Sequence, residues 1–355
     1  MQTPFFADLN ITYPLIQAPM AGAQDERLAI AVARAGALGS IPAAMLTPEQ
    51  LTEQLTQFKA SNAAYSHAPF LPVNVNFFAH RNAEINAEQT AAWIETLSPY
   101  YREFGINPQD IPAGASRAPF NTEMAEVVEL FKPQVVSFHF GLPEAQLLQR
   151  VKATGARIIA SATTVREAIW LEQNGADAII VQGLEAGGHR GHFLSDDLSE
   201  QMGIFALLPQ VLAAVKLPVI AAGGIATAEC IRSAMSLGAS GVQIGTSYLL
   251  CDEAKTSALH RTALQSEAAQ HTALTNLFSG RPARGIVNRV MRELGAIRQD
   301  APGFPNAGTW ITPLRTAAEQ QGLSDFTPLW SGQNTQGCQS IGAFDLTQQL
   351  IRAFD

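Results

Sequence analysis

Short apolar segments alternate with amphipathic helical segments along the first 250 residues, and this alternation restricts the fold more than any other feature of the chain. Alternating strands and helices build parallel sheets, and eight such strands favour a closed barrel, with a doubly wound open sheet as the alternative. We therefore predict an α/β protein, a (β/α)8 TIM barrel with an additional, mainly helical second domain. The predicted strands are Leu15–Met20, Ala37–Pro42, Pro72–Phe78, Val135–Gly141, Arg157–Ala162, Ala178–Gly183, Pro218–Gly224 and Gly241–Leu249.

The joints between helices and strands support this prediction, because a Gly-Ala pair recurs where a helix should end. Glycine at that point supplies the left-handed residue that stops a helix. Two capping boxes, Thr47 with Gln50 and Thr164 with Glu167, mark predicted helix starts. The four pairs are Gly36-Ala37, Gly155-Ala156, Gly175-Ala176 and Gly238-Ala239.

The chain is long enough for more than a barrel. A (β/α)8 barrel takes roughly 250 residues, whereas the chain has 355. Residues 1–250 are predicted to form the barrel, and the insertion 79–132 is too long for one crossover helix and should contribute to a helical cap. Residues 251–355 mix helical stretches with loops rich in glycine and proline, and we expect them to complete the cap and the active site.

Composition and charge argue against several classes of function. With 47% hydrophobic and 15% charged residues the chain can bury a large core, and its net charge of -8 includes no basic block. We therefore expect neither nucleic acid nor a membrane as a partner. Cys230, Cys251 and Cys338 form no CxxC pair. Nothing in Met1–Leu9 resembles a secretion signal, so we expect a cytoplasmic protein, and a homodimer is open.

Glycines at the ends of the seventh and eighth predicted strands indicate an anion site. In (β/α)8 barrels phosphate usually binds after these two strands. The seventh strand ends in Gly223-Gly224, and the eighth carries Gln243–Thr246. Backbone N–H groups can approach an anion closely at such glycines, and the hydroxyl of Thr246 adds a donor. Plain tight turns are the alternative.

The segment after the sixth predicted strand, Gln182–Gly191, is the most informative one because four glycines surround His189. Such a loop can fold tightly against a flat ligand and hold an imidazole at its edge. Histidine titrates near neutral pH, so His189 could take or give a proton. A flexible surface loop is the alternative. His189 and His192 also form a His-x-x-His pair, but no third ligand with metal-site spacing follows, so no metal is predicted.

Strand alternation places further polar side chains inside the predicted barrel. Ser137 and His139 share one face of the fourth strand. The apolar Val136, Phe138 and Phe140 suit the opposite, helix-facing side. His139 should then point inward near the catalytic end of the barrel, and a hydrogen-bonded core histidine is an equally good alternative.

The first and third strands carry weaker signals. Asn74 and Asn76 share one face of the third strand, and a buried amide without a partner costs about 1 kcal/mol or more. A bound heteroaromatic ring or ordered water would supply partners. After the first strand, the small residues and the methionine of Gln17–Gly22 suit one face of a planar ring, and they also suit ordinary core packing.

Together these segments resemble the nitronate monooxygenase family, formerly called 2-nitropropane dioxygenases, across nearly the whole chain and in order. The stretch Gln182–Gly191 is the most specific match. The other matching segments are Gln-Ala-Pro-Met-Ala-Gly (17–22), Val-Asn-Phe-Phe (75–78), Ser-Phe-His-Phe-Gly (137–141), Ala-Ala-Gly-Gly-Ile (221–225), Gln-Ile-Gly-Thr (243–246), Arg-Pro-Ala-Arg-Gly-Ile-Val-Asn-Arg (281–289) and Leu-Trp-Ser-Gly-Gln (329–333).

The resemblance implies a (β/α)8 barrel that binds FMN non-covalently. His189 corresponds to the active-site histidine of the family and His139 to its second active-site imidazole, so these two are the predicted catalytic residues. Gln333 lies in a family segment near the flavin. The remaining predicted cofactor-binding residues are Met20, Ala21, Gly22 and Asn76 at the isoalloxazine, Gln182 and Gly187 in the loop after the sixth strand, and Gly224, Gln243, Ile244, Gly245 and Thr246 at the phosphate.

The reaction implied by the resemblance is the oxidation of an alkyl nitronate by dioxygen to a carbonyl compound and nitrite. A histidine, protonated or donating a hydrogen bond, would orient the anionic substrate. The alternative is an NAD(P)H-dependent flavin reductase acting on quinones or enoyl thioesters, although no GxGxxG fingerprint is present. A flavin- or phosphate-binding barrel without turnover is a third hypothesis, against which the two imidazoles argue.

One stretch departs from the pattern of some family members, which carry tyrosines and a lysine before the Trp-x-Gly-Gln segment. Here 303–320 contains no tyrosine, and no lysine follows Lys255. Arg315 is the candidate for the positive charge in this region, with a solvated helix residue as the alternative.

Overall fold

The computed structural model describes residues 4–64, 71–112 and 117–355 of the chain. The described strands are β1 (Leu15–Gln17), β2 (Gly39–Pro42), β3 (Val73–Phe78), β4 (Val135–His139), β5 (Arg157–Ala162), β6 (Ala178–Gln182), β7 (Gly188–His189), β8 (Val219–Ala222), β9 (Gly241–Ile244), β10 (Thr272–Thr275) and β11 (Ala283–Ile286).

The helices lie before, between and after these strands. They are α1 (Pro4–Asp8), α2 (Glu26–Arg34), α3 (Pro48–Ala64), α4 (Ala87–Glu103), α5 (Thr122–Phe131), α6 (Ala145–Ala153), α7 (Val165–Gln173), α8 (Ile204–Ala214), α9 (Ala228–Ser236), α10 (Ala258–Leu264), α11 (Arg289–Leu294), α12 (Ala307–Gln320) and α13 (Ala343–Ile351). Short 3₁₀ helices cover Pro108–Asp110, Leu198–Glu200, Thr246–Leu250 and Glu267–Gln270. No helix in the described ranges is long and apolar enough to cross a bilayer.

Eight parallel strands form the barrel, in the order β1-β9-β8-β6-β5-β4-β3-β2. A parallel bridge between Ile16 and Leu38 joins the two ends of this sheet, and Leu38 exchanges 2.9 Å hydrogen bonds with the main chains of Leu15 and Gln17. The predicted (β/α)8 barrel is confirmed, and each predicted strand coincides with one of the eight.

The side chains of the barrel strands alternate between two apolar layers. Inward-facing residues such as Ile16, Ile159 and Ile220 form one cluster with Phe5 and Phe6 of α1. Outward-facing residues of the same strands pack under the surrounding helices in a much larger cluster. Because both faces are covered, the strands are mostly apolar, as expected for a parallel sheet, with a few buried polar side chains such as Asn74, Asn76 and Ser137.

The helix termini match the local sequence signals. Gly36, Gly155, Gly175 and Gly238 all adopt positive φ angles, between 88° and 105°. Thr47 and Gln50 form the predicted reciprocal cap at the start of α3. At α7 the box is only half formed: Thr164 accepts a hydrogen bond from the N–H of Glu167, but the carboxylate of Glu167 turns to other partners.

The prediction of the eighth strand was wrong at its carboxyl end. The strand ends at Ile244 rather than Leu249, and a 3₁₀ helix follows it. The N–H of Tyr248 donates to the carbonyl of Gly245 at 2.9 Å. An apolar run of this length is buried in either conformation, so its hydrophobicity does not distinguish strand from helix.

The insertion 79–132 contributes to two different layers. Helix α5 packs on the barrel between its neighbours through Met124 and Val128. Helix α4 packs instead against α12, where Trp93 and Leu97 meet Leu314 in a separate apolar cluster. This second cluster is separate from the apolar clusters of the barrel.

The region 251–355 is also divided, and it contains a sheet that the sequence analysis missed. Helix α13 packs on α2 and α9 and therefore completes the ring of barrel helices. Strands β10, β11 and β7 form a small antiparallel sheet. In this sheet Ala283 pairs with His189, which places the predicted catalytic loop in a β ladder.

Candidate active site

A pocket of about 380 Å³ opens at the carboxyl ends of the barrel strands. This size is within the range of small-molecule sites. Of the predicted site residues, those lining the pocket are Met20, Ala21, Gly22, Asn76, His139, Gln182, Gly187, His189, Gly224, Gln243, Gly245 and Thr246. The barrel thus brings together residues that are more than two hundred positions apart in sequence.

Two predicted residues lie outside the pocket wall. The side chain of Ile244 is buried among the outward-facing apolar residues, because alternation along β9 turns Gln243 inward and Ile244 toward the helices. Gln333 is exposed, and its main-chain N–H donates to the carbonyl of Glu185 at 2.9 Å. Its neighbours Gly332 and Asn334 line the pocket instead.

One end of the pocket is built from main chain and hydroxyl groups. Gly223 and Gly224 follow β8 with φ angles of 110° and 70°, a region that favours glycine. The Thr246 hydroxyl accepts a 2.9 Å hydrogen bond from the N–H of Gly332, so its own hydrogen can point to a ligand. The side-chain amide of Asn334 holds the carbonyl of Gly224 at 2.9 Å. This end has the polar composition of an anion site.

The middle of the pocket is flanked by amides. The carboxamide oxygen of Gln243 is buried and has no hydrogen-bond partner among the described residues. The amide nitrogen of Asn76 donates to the hydroxyl of Ser137 at 2.9 Å, and that of Asn74 donates to the hydroxyl of Ser40 at 2.9 Å. The expectation that a ligand or water must satisfy the two asparagines was therefore wrong for their amide nitrogens, because serines on neighbouring strands do so.

Hydrogen bonds from the side chains of Gln182 and Arg190 hold the loop 183–191 in place. The carboxamide of Gln182 donates to the carbonyl of His189 at 3.0 Å and accepts from the N–H of Gly191 at 2.8 Å. The buried guanidinium of Arg190 donates to the carbonyls of Gln182 and Gly183 and to the side chain of Gln201, all within 2.8 Å. A Cβ atom at Gly187 would lie 2.5 Å from the main-chain nitrogen of Gly332, so a larger residue would not fit here. The loop is therefore a fixed wall of the pocket.

The imidazole of His189 has one ring nitrogen engaged. Its Nε2 lies 2.8 Å from the hydroxyl of Ser279, whose oxygen also lies 3.3 Å from the carbonyl of Arg281. The neutral ring either donates to this hydroxyl through Nε2–H and carries a lone pair on Nδ1, or accepts from the hydroxyl at Nε2 and carries its hydrogen on Nδ1. Nδ1 has no hydrogen-bond partner among the described residues, so it is the nitrogen available to a ligand.

Both ring nitrogens of His139 have partners within the chain. Nε2 lies 3.1 Å from the carbonyl of His189 and must donate to it, and Nδ1 then accepts from the hydroxyl of Ser161 at 3.0 Å. His139 points into the barrel, as alternation predicts. His139 lines the pocket, but both of its ring nitrogens are bonded within the protein, and one of them holds the carbonyl of His189.

Both imidazoles are neutral at neutral pH. Burial lowers the pKa of His139 to about 4. Burial also holds the pKa of His189 well below its usual value, and the positive charges of Arg117 and Arg281 add to this effect. The expectation of a histidine that titrates near neutral pH is therefore not met by these two residues.

Aromatic rings enclose the His189 end of the pocket. The ring of His189 lies 5.5 Å from that of Phe304, 5.6 Å from that of Trp330 and 6.1 Å from that of Phe78. Phe140 joins this cluster through Phe78 at 4.8 Å. The prediction that Phe140 faces the helices was wrong, because the strand ends at His139 and Phe140 adopts a φ of 72°.

Cations outnumber carboxylates among the charged residues lining the pocket, which are Arg117, Glu185, Lys255 and Arg315. Glu185 accepts the N–H of Ile204 at the start of α8. Lys255 pairs with Asp25 at 3.3 Å, and Arg315 pairs with Glu319 at 2.8 Å. Arg315, the candidate replacement for the family's lysine, thus lines the pocket but is already paired.

No group of three or more metal-binding side chains is found in the described ranges. His192, the second member of the His-x-x-His pair, is buried away from the pocket wall. Its Nε2 lies 3.5 Å from Asp196, and burial lowers its pKa to about 3.

Sequence reasoning missed several residues of the site. Ser161 could have been found from strand alternation, because it faces inward on β5. Arg117, Ser279 and Asn334 lie in segments without a periodic pattern, and only the folded chain brings them to the pocket or to His189. No local signal marked them.

Comparisons with known proteins agree with this architecture. A family model described as nitronate monooxygenase matches residues 3–353. The chain is 37% identical to a nitronate monooxygenase of Pseudomonas aeruginosa, over 97% of this chain and 96% of that protein. It is also 37% identical to one of Paraburkholderia phytofirmans, over 97% and 93%. The solved structure of a nitroalkane oxidase from Streptomyces ansochromogenes is similar with a TM-score of 0.87 and 32% identity, covering 98% of each chain.

Proposed function

The chain belongs to the nitronate monooxygenase family, and from this premise we propose that it is an FMN-dependent nitronate monooxygenase. The substrates would be an alkyl nitronate and dioxygen, and the products a carbonyl compound and nitrite. The atoms balance without an external reductant when two nitronates and one dioxygen give two carbonyl compounds and two nitrite ions. When bound, FMN would supply the redox chemistry that couples the two substrates.

The observation that carries this proposal is the arrangement of one pocket with two chemically different ends. The glycines after β8 and β9 and the Thr246 hydroxyl suit a phosphate group. The other end presents the unpartnered Nδ1 of His189 within a ring of aromatic side chains. A flavin nucleotide joins a phosphate to a flat reactive ring and would span both ends.

The residues between the two ends fit the flavin ring. The buried, unpartnered carboxamide oxygen of Gln243 calls for a ligand N–H donor, which an isoalloxazine carries. Gly22 has a φ of 82°, and a Cβ added to it would contact no atom within 4 Å, so there is open space beside it. Met20 and Asn76 complete this wall. We therefore assign the ring to this wall and the phosphate to Gly224, Gly245 and Thr246.

The two histidines take different roles in this proposal. His189 would accept a proton from a bound nitronic acid or nitroalkane, because the negative charge that develops on the substrate would offset the burial that lowers the pKa of this histidine. His139 would be a positioning residue, because its Nε2–H holds the carbonyl of His189. The surrounding rings exclude water from this end of the pocket.

The proposal is tested with the purified protein under aerobic and anaerobic conditions. We expect a flavin absorbance spectrum that is released on denaturation, anaerobic bleaching by ethyl nitronate, and nitrite formation once oxygen is admitted. Bleaching by NADPH alone, without nitrite formation from a nitronate, would identify the flavin reductase instead. A colourless preparation that takes up no added FMN would end both proposals.

A further inference from the structure

Arg117 lines the pocket beside the predicted catalytic histidine. Its guanidinium carbon lies 5.8 Å from the centre of the Phe304 ring, and the imidazole of His189 lies 5.5 Å from the same ring. Both groups therefore flank one phenyl side chain. The charge of Arg117 is also the largest electrostatic influence on His189, where it disfavours the protonated form.

This arginine lacks a carboxylate partner. In the described ranges, no Asp or Glu lies within ion-pair distance of it, and its Nη2 has a weak contact with the sulfur of Met45 at 3.9 Å. Burial and the charge of Arg315 disfavour its protonated form and lower its pKa, but an arginine stays charged in proteins. A largely buried, unpaired cation costs free energy, and an anion bound beside it removes that cost.

The other charged groups near the pocket already have partners or face elsewhere. Lys255 and Arg315 are paired with carboxylates. The guanidinium of Arg281 lies 4.3 Å from the centre of the Phe140 ring and donates to the carbonyl of His192, and it does not line the pocket. Among the cations in the pocket wall, Arg117 is therefore the one that can pair with a ligand without breaking an existing ion pair.

His189 is poorly suited to bind an anion itself. Burial holds its pKa well below the usual value, so the ring is neutral at neutral pH and brings no positive charge to a bound anion. A nitronate carries its negative charge on two oxygen atoms, and a guanidinium can donate to both of them. The positive partner of the substrate must therefore be a group next to His189 rather than the histidine.

We propose that Arg117 binds the nitronate oxygens and so sets the preference of this site for anionic over neutral substrates. Phe304 and Met45 hold the guanidinium at the wall, and the reacting carbon of the substrate then lies between Arg117 and His189. This inference rests on the proposed function, since it names the residue that recognises the proposed substrate.

The test compares Arg117→Met and Arg117→Lys with the wild-type holoenzyme at constant ionic strength. We expect Arg117→Met to raise the KM for ethyl nitronate about 10- to 100-fold with little change in kcat, the loss expected for one charge-assisted contact. Arg117→Lys keeps the charge but loses the bidentate guanidinium, so we expect an intermediate rise in KM that is clearly smaller than that of Arg117→Met. Arg232→Met is the matched control, because Arg232 forms an exposed pair with Glu229 on α9.

A second readout does not depend on turnover. Nitrate is planar and anionic like the substrate, and its binding can be followed by the change in flavin absorbance. We expect its dissociation constant to rise in Arg117→Met in parallel with the KM. Unchanged nitrate binding and KM in Arg117→Met, or equal losses in the Met and Lys variants, would overturn the assignment. A wild-type protein that binds nitrate through Arg117 but forms no nitrite would refute the proposed function and leave this site standing.

Discussion

The hydroxyl of Ser279 engages one ring nitrogen of His189, since Nε2 lies 2.8 Å from it. Nδ1 is therefore the nitrogen that is available to a ligand in the pocket. The sequence located the histidine through its glycine-rich loop, but it contained no information on this hydrogen bond. Ser279 lies ninety residues further along the chain and reaches His189 through the pairing of β7 with β11.

Replacement of His189 by Asn tests this role directly. We expect the His189→Asn variant to retain FMN, because the proposed phosphate and ring contacts lie elsewhere, and to form nitrite from ethyl nitronate about 100-fold more slowly, the range for loss of an acid–base group. Nitrite formation and the flavin-to-protein ratio are measured side by side. His271→Asn, at an exposed position, is the control. Near-normal turnover in His189→Asn would remove this histidine from the mechanism.

At the scale of elements, the loop between β6 and β7 depends on a buried arginine. The three donors of Arg190 hold two main-chain carbonyls and one side-chain amide within 2.8 Å. Burial is the main cause that lowers the pKa of this guanidinium to about 9. The loop therefore owes its shape to hydrogen bonds that few residue types can make.

The Arg190→Lys variant should show how much these three hydrogen bonds stabilise the folded protein. A lysine cannot reproduce the planar fork and would leave buried carbonyls without donors, so we expect a loss of about 2 to 4 kcal/mol in the free energy of unfolding. Urea denaturation measures this loss, with Arg232→Lys at the surface as the control. A change no larger than that of the control would show that other contacts hold the loop.

The turn after β8 provides a second test at this scale. Gly224 has a φ of 70°, and a Cβ there would lie 3.3 Å from the Cβ of Glu185. We expect Gly224→Leu to weaken FMN binding by about tenfold or more, because strain and bulk would move the proposed phosphate cradle. Flavin release on dilution is the measurement.

Gly155→Leu is the control for backbone strain alone. Gly155 has a φ of 88° and open space around its Cβ position, and it lies at the opposite end of the barrel, before β5. We expect Gly155→Leu to lower the free energy of unfolding about as much as Gly224→Leu does, with a normal flavin content. Unchanged flavin content in Gly224→Leu would mean that the phosphate binds elsewhere.

For the whole molecule, buried neutral histidines predict sensitivity to acid. Burial lowers the pKa of His80 and His260 to about 4 and that of His192 to about 3. The folded protein keeps these rings neutral while the unfolded chain binds protons below about pH 6.5. The free energy of unfolding should therefore fall as the pH drops from about 6.5 to about 4, by on the order of 1 to 3 kcal/mol per histidine.

Urea denaturation at a series of pH values measures this dependence, with FMN in excess throughout. The His192→Asn variant, which removes a ring that is 1% exposed, should show a shallower loss of stability over this range. The exposed His271→Asn should keep the wild-type slope. A His192→Asn slope equal to that of wild type would show that His192 is not neutral in the folded protein.

The barrel and the end of it that carries the candidate site follow from local patterns in the sequence. Strand and helix periodicities and glycine helix stops are local, so they are visible in any window of the chain, and a parallel barrel collects its loops at one end. The other features arise only in the folded chain. The tertiary structure paired β7 with β11, placed α13 on the barrel, gave each imidazole its hydrogen-bond partners and brought Arg117 to His189, because contacts between distant segments depend on packing that no local pattern records.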